Sequence, residues 1–184
     1  MGVYLADFSD LAQACRESSC RFERFREHAD VLALRWPADV VEQWLYDHAD
    51  YGAFLRDYGG VELCSIMWNV EILSTESLLV MPTGPSDGGA IDEYAADPDH
   101  WINVRSGGVH VGVAQCWETH GTWKRWPILI DGALLRPPIR GLQVVEGRTR
   151  VGILRGRHRN GNFVAPRHLA WVGRARHASS RVEY

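Results

Sequence analysis

The chain has 184 residues, 46% of them hydrophobic and 23% charged, and a formal net charge of −3. This is ordinary for one globular domain long enough to bury a core. No run approaches the roughly 20 apolar residues of a membrane span, and the start Met1-Gly2-Val3-Tyr4-Leu5-Ala6-Asp7 lacks the basic and apolar parts of a secretory signal, so a soluble cytoplasmic protein with no membrane partner is expected.

In chain order, Phe8, Leu11, Ala12, Cys15, Phe22, Phe25, Ala29 and Leu32 recur at helical spacing and predict a helix over residues 8–32. Pro37-Ala38 looks like the first turn of a second helix. Its apolar face runs from Val40, Val41, Trp44 and Leu45 to Tyr58, and Gly59-Gly60 stops it. These residues predict an N-terminal antiparallel helical pair, an acidic extension over residues 1–60. The period then shortens, and residues 61–73 predict a strand. Residues 81–90, rich in Gly, Pro and Ser, predict a loop, and residues 91–96 one or two helical turns. A helix over 107–120 carries Val109, Val113, Cys116 and Trp117. Short strands follow at Pro127–Asp131 and Leu142–Val145, then a helix at Arg148–Arg155 and a last strand around Leu169-Ala170-Trp171. The expected fold class is α+β: a small mixed sheet with packed helices over residues 61–184, preceded by the helical pair.

The net charge hides an asymmetry. Residues 1–135 hold 9 Lys and Arg against 21 Asp and Glu, whereas residues 136–184 hold 11 Arg against Glu146 and Glu183. Arginine suits bidentate grip on phosphate or carboxylate, so the asymmetry points to an anionic partner or to acidic helices folded over a basic surface. The four cysteines form no Cys-x-x-Cys pair and are read as reduced and mostly buried. Cys116 and His120 share a helix face, but a structural zinc needs four ligands and no second pair has suitable spacing, so no metal site is expected.

The segment Leu142–Gly156 has a chemistry of its own. A buried strand ends at Gly147, which turns the chain sharply, and the helix behind it aims free amides and a positive dipole end into the turn. Arg148 and Arg150 add charge and Thr149 a hydroxyl, the parts of an anion seat. Spacing alone leaves a solvated helix start equally open. Upstream, Thr122-Trp123-Lys124-Arg125-Trp126 interleaves indoles with cations; an indole could stack on a base while Lys124 or Arg125 meets phosphate, or the pair could plug the sheet end. Glu146, Glu118 and Asp131 are the nearby carboxylates that could serve as a catalytic base.

The order strand, helix, Pro127-Ile128-Leu129-Ile130 strand, Leu142–Val145 strand, then Gly147-Arg148-Thr149-Arg150 opening a helix resembles the ParB/sulfiredoxin-like superfamily over about residues 61–172. Gly147 and Arg150 match the motif's Gly and Arg, and the turn at His120-Gly121 resembles the family segment that lines the nucleotide. The resemblance implies a nucleotide-phosphate site, with ATP or CTP and Mg as the cofactor class and phosphoryl transfer or nucleotide hydrolysis as possible activities. Arg148 stands where sulfiredoxins need Cys, so sulfiredoxin chemistry is not expected. Only 12 residues follow Val172, so the DNA-binding domain of ParB proteins is not expected either. Two other readings stay open. One is a non-catalytic interaction module, an immunity or regulatory protein using charged and Trp-rich surfaces to bind a protein partner. The other is nucleic-acid binding through the Arg-rich end.

Overall fold

The computed structural model describes residues 2–18, 21–104 and 107–176; Cys20, Arg181, Glu183 and the Val109 side chain lie outside the described set. Among the described residues, four strands form one mixed sheet: β1 (Ile66–Ser74), β2 (Ile128–Asp131), β3 (Leu142–Glu146) and β4 (Arg167–Ala175), in the order β1-β4-β2-β3. β1 and β4 are antiparallel, as are β2 and β3, whereas β2 and β4 run parallel. A parallel pair needs a crossover. β3 and the helix α10 (Arg148–Arg159) supply it.

The strands alternate between two cores, as the period of two requires. Ile128, Ile130 and Val145 face one, and Leu129, Val144, Ala170 and Val172 face the other. The first core is closed by the N-terminal helices, through Leu5, Phe8, Phe25, Trp44, Phe54 and Tyr58. The second is closed by α10 with α6 (Thr75–Val80), α7 (Ala90–Ala96), α8 (Pro98–Asn103) and α9 (Val113–His120). Residues 1–60 therefore supply one of the two layers that cover the sheet.

Several expected boundaries shift. The expected pair of long helices is instead a chain of short ones. The first divides into α1 (Ser9–Glu17), α2 (Arg21–Arg26) and α3 (Ala29–Leu34), with Arg35 left-handed at its end. The second divides at residues 49–51 into α4 (Ala38–Val40), which widens into a π-helix over Val41–Tyr46, and α5 (Gly52–Tyr58). The wide turn buries Val41, Gln43, Trp44, Leu45 and Tyr46 together, which no single α-helical stripe does. β1 starts at Ile66, because a 3-10 turn occupies Leu63–Ser65. Likewise the helix expected from residue 107 begins at Val113, since left-handed Gly108 and Gly112 interrupt it. Conversely α10 extends to Arg159. Of the described cysteines, Cys15 is buried, Cys116 half-buried and Cys64 exposed, so burial is less general than expected.

Candidate functional site

A cleft of about 260 Å³ opens where the N-terminal layer meets the start of α10. Its floor is the end of β3 and the corner behind it: Glu146, Gly147, Thr149, Arg150 and Ile153. Gly147 takes φ +97°, and a Cβ there would sit 2.5 Å from Pro127 Cβ, so the corner demands glycine. No side chain caps the helix. The first amide tied back within this turn is that of Val151, bonded to the Gly147 carbonyl at 2.9 Å. The amides of Arg148, Thr149 and Arg150 precede it, and in an α-helix such first-turn groups have no intrahelical acceptor.

One wall is aromatic: Tyr94 of α7, Trp101 of α8, Trp117 of α9 and Trp123 in the following turn. Tyr94 and Trp101 meet edge to face, with ring centroids 4.8 Å apart, and Trp117 and Trp123 do so at 6.3 Å. Trp123 is fixed by its Nε1–H, which donates to the Leu169 carbonyl at 2.8 Å. The facing wall comes from the π-helical segment and the residue after it, Gln43 and Asp47, with Lys124 and Arg125 beside them. Although Asp47 keeps contact with solvent, the protein around it pushes its carboxyl up to about 6; burial is the main cause, with Glu42 and Glu146 adding to it.

The arginines expected to grip an anion are largely engaged by the protein itself. Arg150 pairs with Glu146 and donates to the carbonyls of Arg125 (3.0 Å) and Trp126 (3.3 Å). Arg148 turns the other way, to Asp87 at 2.5 Å and over the Phe54 ring at 4.9 Å, and lines a separate, open recess with Arg16, Asp47 and His48. The two guanidiniums therefore do not converge. Arg125 holds Asp39 at 2.6 Å and pairs with Glu42. Arg155 donates to the carbonyls of Leu78 and Met81, Arg157 pairs with Glu118 at 2.9 Å, and Arg174 pairs with Glu71 at 2.7 Å. Lys124 donates to the Val111 carbonyl at 2.7 Å, which uses one of the three N–H groups of an ammonium.

Of the residues expected at the site, Lys124, Arg125, Glu146, Gly147, Thr149 and Arg150 line this cleft; Arg148, His120, Gly121, Glu118 and Asp131 are not among its lining. Gly121 is the left-handed end of α9, its carbonyl accepting from the Ala165 amide at 2.9 Å, and His120 is exposed. Glu118 faces Arg157 from an exposed position, while Asp131 caps a turn through the Ala133 amide (3.0 Å) and pairs with Arg174 at 3.2 Å. Sequence reasoning missed Gln43, Asp47, Tyr94, Trp101 and the part played by Trp117. Gln43 lies next to the apolar positions of its helix in the sequence, but its burial comes from the π turn, which no spacing announced. Among the described residues, no group of three or more His, Cys, Asp or Glu side chains could hold a metal ion, and no helix is long and apolar enough to cross a membrane.

No protein-family model, curated protein or solved structure matches this chain.

Proposed function

We propose that the protein binds a nucleotide or another phosphorylated small molecule in this cleft. The observation that carries the proposal is the convergence of uncapped α10 amides, the Thr149 position and Lys124 on one recess walled by indole and phenol rings. The amides and the ammonium supply charge and donors for an anion, and the rings a surface on which a planar group stacks. Arg150 acts here as a positioning residue: by holding Glu146 and the carbonyls of Arg125 and Trp126 it fixes the corner whose amides face the anion. Membership of the ParB/sulfiredoxin-like superfamily, with Gly147 and Arg150 as its motif positions, is part of the same proposal.

ATP or CTP with Mg fits the donor set in one respect. Magnesium is commonly held by one or two carboxylates plus substrate phosphates, and Asp47 and Glu146 are the carboxylates of the lining. If phosphoryl transfer takes place, Glu146 is the expected base that lies in the cleft, and its pairing with Arg150 makes binding the better-supported activity.

The test is thermal melting with AMP, CMP, ATP and CTP (the triphosphates with Mg) and ribose 5-phosphate. Ligand near 100 times its Kd should add about 2.7 kcal/mol of stability, and Lys124→Ala should weaken binding several-fold. Unchanged melting across the panel at millimolar ligand contradicts the proposal.

A specific feature favours a second reading, a protein-interaction module. Met67, Val70 and Ile72 on the edge strand β1, with Leu169 opposite Ile72, leave apolar side chains exposed. Trp68, Trp101, Trp126 and Trp171 are half-buried, and the other four tryptophans are buried. Capture of a partner protein abolished by Ile72→Glu and indifferent to Lys124→Ala would favour this reading.

A further inference from the structure

The two edges of the sheet differ. β3 is covered: Thr83 forms a bridge to Val144, whose amide donates to the Pro82 carbonyl at 2.8 Å. β1, the other edge, pairs with β4 and with no further strand among the described residues. The β1–β4 ladder decides which backbone groups of β1 are left over. Beyond one end of it the Arg176 amide donates to the Ser65 carbonyl at 2.7 Å, and beyond the other the Thr75 amide donates to the Pro166 carbonyl at 3.1 Å. Midway, the Trp171 amide, opposite Val70, turns away to the Pro127 carbonyl. Antiparallel strands alternate bonded and non-bonded pairs. Met67, Asn69, Glu71 and Leu73 therefore bond to β4, while Trp68, Val70 and Ile72 point their N–H and C=O groups outward, where they meet no partner among the described residues. The strand also lacks the features that guard an open edge: it has no Lys, no Pro and no bulge, and its one charged residue, Glu71, is held by Arg174 at 2.7 Å.

We infer that β1 pairs antiparallel with β1 of a second copy, joining the two sheets into one about a two-fold axis at Val70. The occupant follows from self-complementarity, which a two-fold interface requires. With Val70 opposite the partner's Val70, the outward groups of Trp68 and Ile72 exchange hydrogen bonds with those of the partner's Ile72 and Trp68. Apolar side chains then meet apolar ones, Met67 against the partner's Leu73 and Trp68 against the partner's Ile72. The Asn69 amide meets the partner's Glu71 carboxylate. Of the neighbouring registers, one sets Glu71 against the partner's Glu71, like charges face to face, and the other sets Met67 against that carboxylate. Val70 and Ile72, 42% and 63% exposed, share one sheet face with Leu169, so pairing joins the apolar patches of the two copies across the axis. The inference is independent of the phosphorylated-ligand reading, because the floor of that cleft is the end of the opposite edge strand, β3.

Sedimentation equilibrium and amide hydrogen exchange on the full chain, from low micromolar to near-millimolar protein, test it. One strand pairing belongs with the small interfaces, below about 1,200 Å² in total, which are weak, so a reversible monomer–dimer equilibrium is expected in that range. Protection of the Trp68, Val70 and Ile72 amides should rise with concentration, while the Asn69 and Glu71 amides stay protected throughout. Val70→Lys, which sets two cations against each other at the axis, should weaken the dimer about tenfold or more. Asn69→Lys, facing the partner's Glu71, should leave it as tight or tighter. A monomer at every concentration overturns the inference; if Trp68, Val70 and Ile72 are then protected even at low micromolar protein, another part of the same chain occupies the edge. A dimer that survives Val70→Lys unchanged uses another surface and overturns it too, and loss of the dimer in Asn69→Lys overturns the register. The wild-type exchange pattern decides even if Val70→Lys does not fold.

Discussion

His168 is the residue with the clearest consequence. Burial depresses its imidazole to about 4, and both ring nitrogens are engaged. Thr75 Oγ1 uses its proton on the Ala165 carbonyl at 2.6 Å, so it accepts from His168 Nε2–H at 3.0 Å, and Nδ1 accepts from Thr122 at 2.8 Å. The ring is therefore neutral, protonated on Nε2. A depressed histidine contributes stability above its ordinary value of about 6.5, and that stability is lost as pH falls toward 4, because the unfolded chain takes up the proton first. At 1.36 kcal/mol per unit this is worth at most about 3 kcal/mol. Urea denaturation between pH 7 and pH 4.5 should show the loss, and His168→Gln should flatten it. An unchanged pH dependence in that variant would refute the assignment. The histidine also fixes Trp123, whose ring lies 4.8 Å from its own, so the cleft wall loosens with it.

At the scale of elements, α10 is the scaffold of the site, and glycines let it approach its neighbours. A Cβ on Gly152 would lie 2.8 Å from the Ile91 carbonyl and collide with Tyr94 Cβ, while one on Gly156 would lie 2.9 Å from Pro98 Cγ. Both positions put α10 in direct backbone contact with α7 and α8, the helices that carry Tyr94 and Trp101. Gly152→Ala should destabilise the fold by about 1–3 kcal/mol, the range of overpacked cores, with a matching loss of ligand affinity. A melting temperature within a degree of wild type would contradict this packing. The strands flanking the corner, the corner itself and α10 were legible because buried β-branched runs, a glycine and a helix start write themselves into local sequence. Leu142–Val145 and Gly147 are cases in point. The helix at residues 98–103 went unread although Pro98 at its first turn and the Asp97 cap are standard start signals, for it is only six residues long. The π turn at Val41–Tyr46 was unreadable in principle, since its signal is an extra residue per turn and not a residue type.

At the scale of the molecule, the split between an acidic front and a basic rear is partly resolved inside the fold, where Arg148 pairs with Asp87, Arg157 with Glu118 and Arg174 with Glu71 and Asp131. Asp39 joins the N-terminal layer to later parts of the chain: it pairs with Arg125 and accepts from Trp171 Nε1 at 2.9 Å, and also from Gln43 Nε2 at 3.0 Å. The site lies across this seam, with one wall from the N-terminal layer and its floor from α10, which is why half of it was invisible to motif reasoning confined to residues 120–150. Since both layers share the sheet, they should unfold together. Asp39→Ala should lower stability by about 2–3 kcal/mol, the loss of charge-assisted hydrogen bonds, while tryptophan fluorescence and far-ultraviolet dichroism keep one coincident transition. Two separated transitions would show that residues 1–60 form an independent unit.

The central claim concerns the amides at the start of α10. A proton–nitrogen correlation spectrum, titrated with AMP and with CMP, observes all of them at once. The account predicts saturable shifts of the Arg148, Thr149 and Arg150 amides, sharing one dissociation constant. Shifts confined to the exposed surface of β1 and β4, or none at millimolar nucleotide, would contradict it.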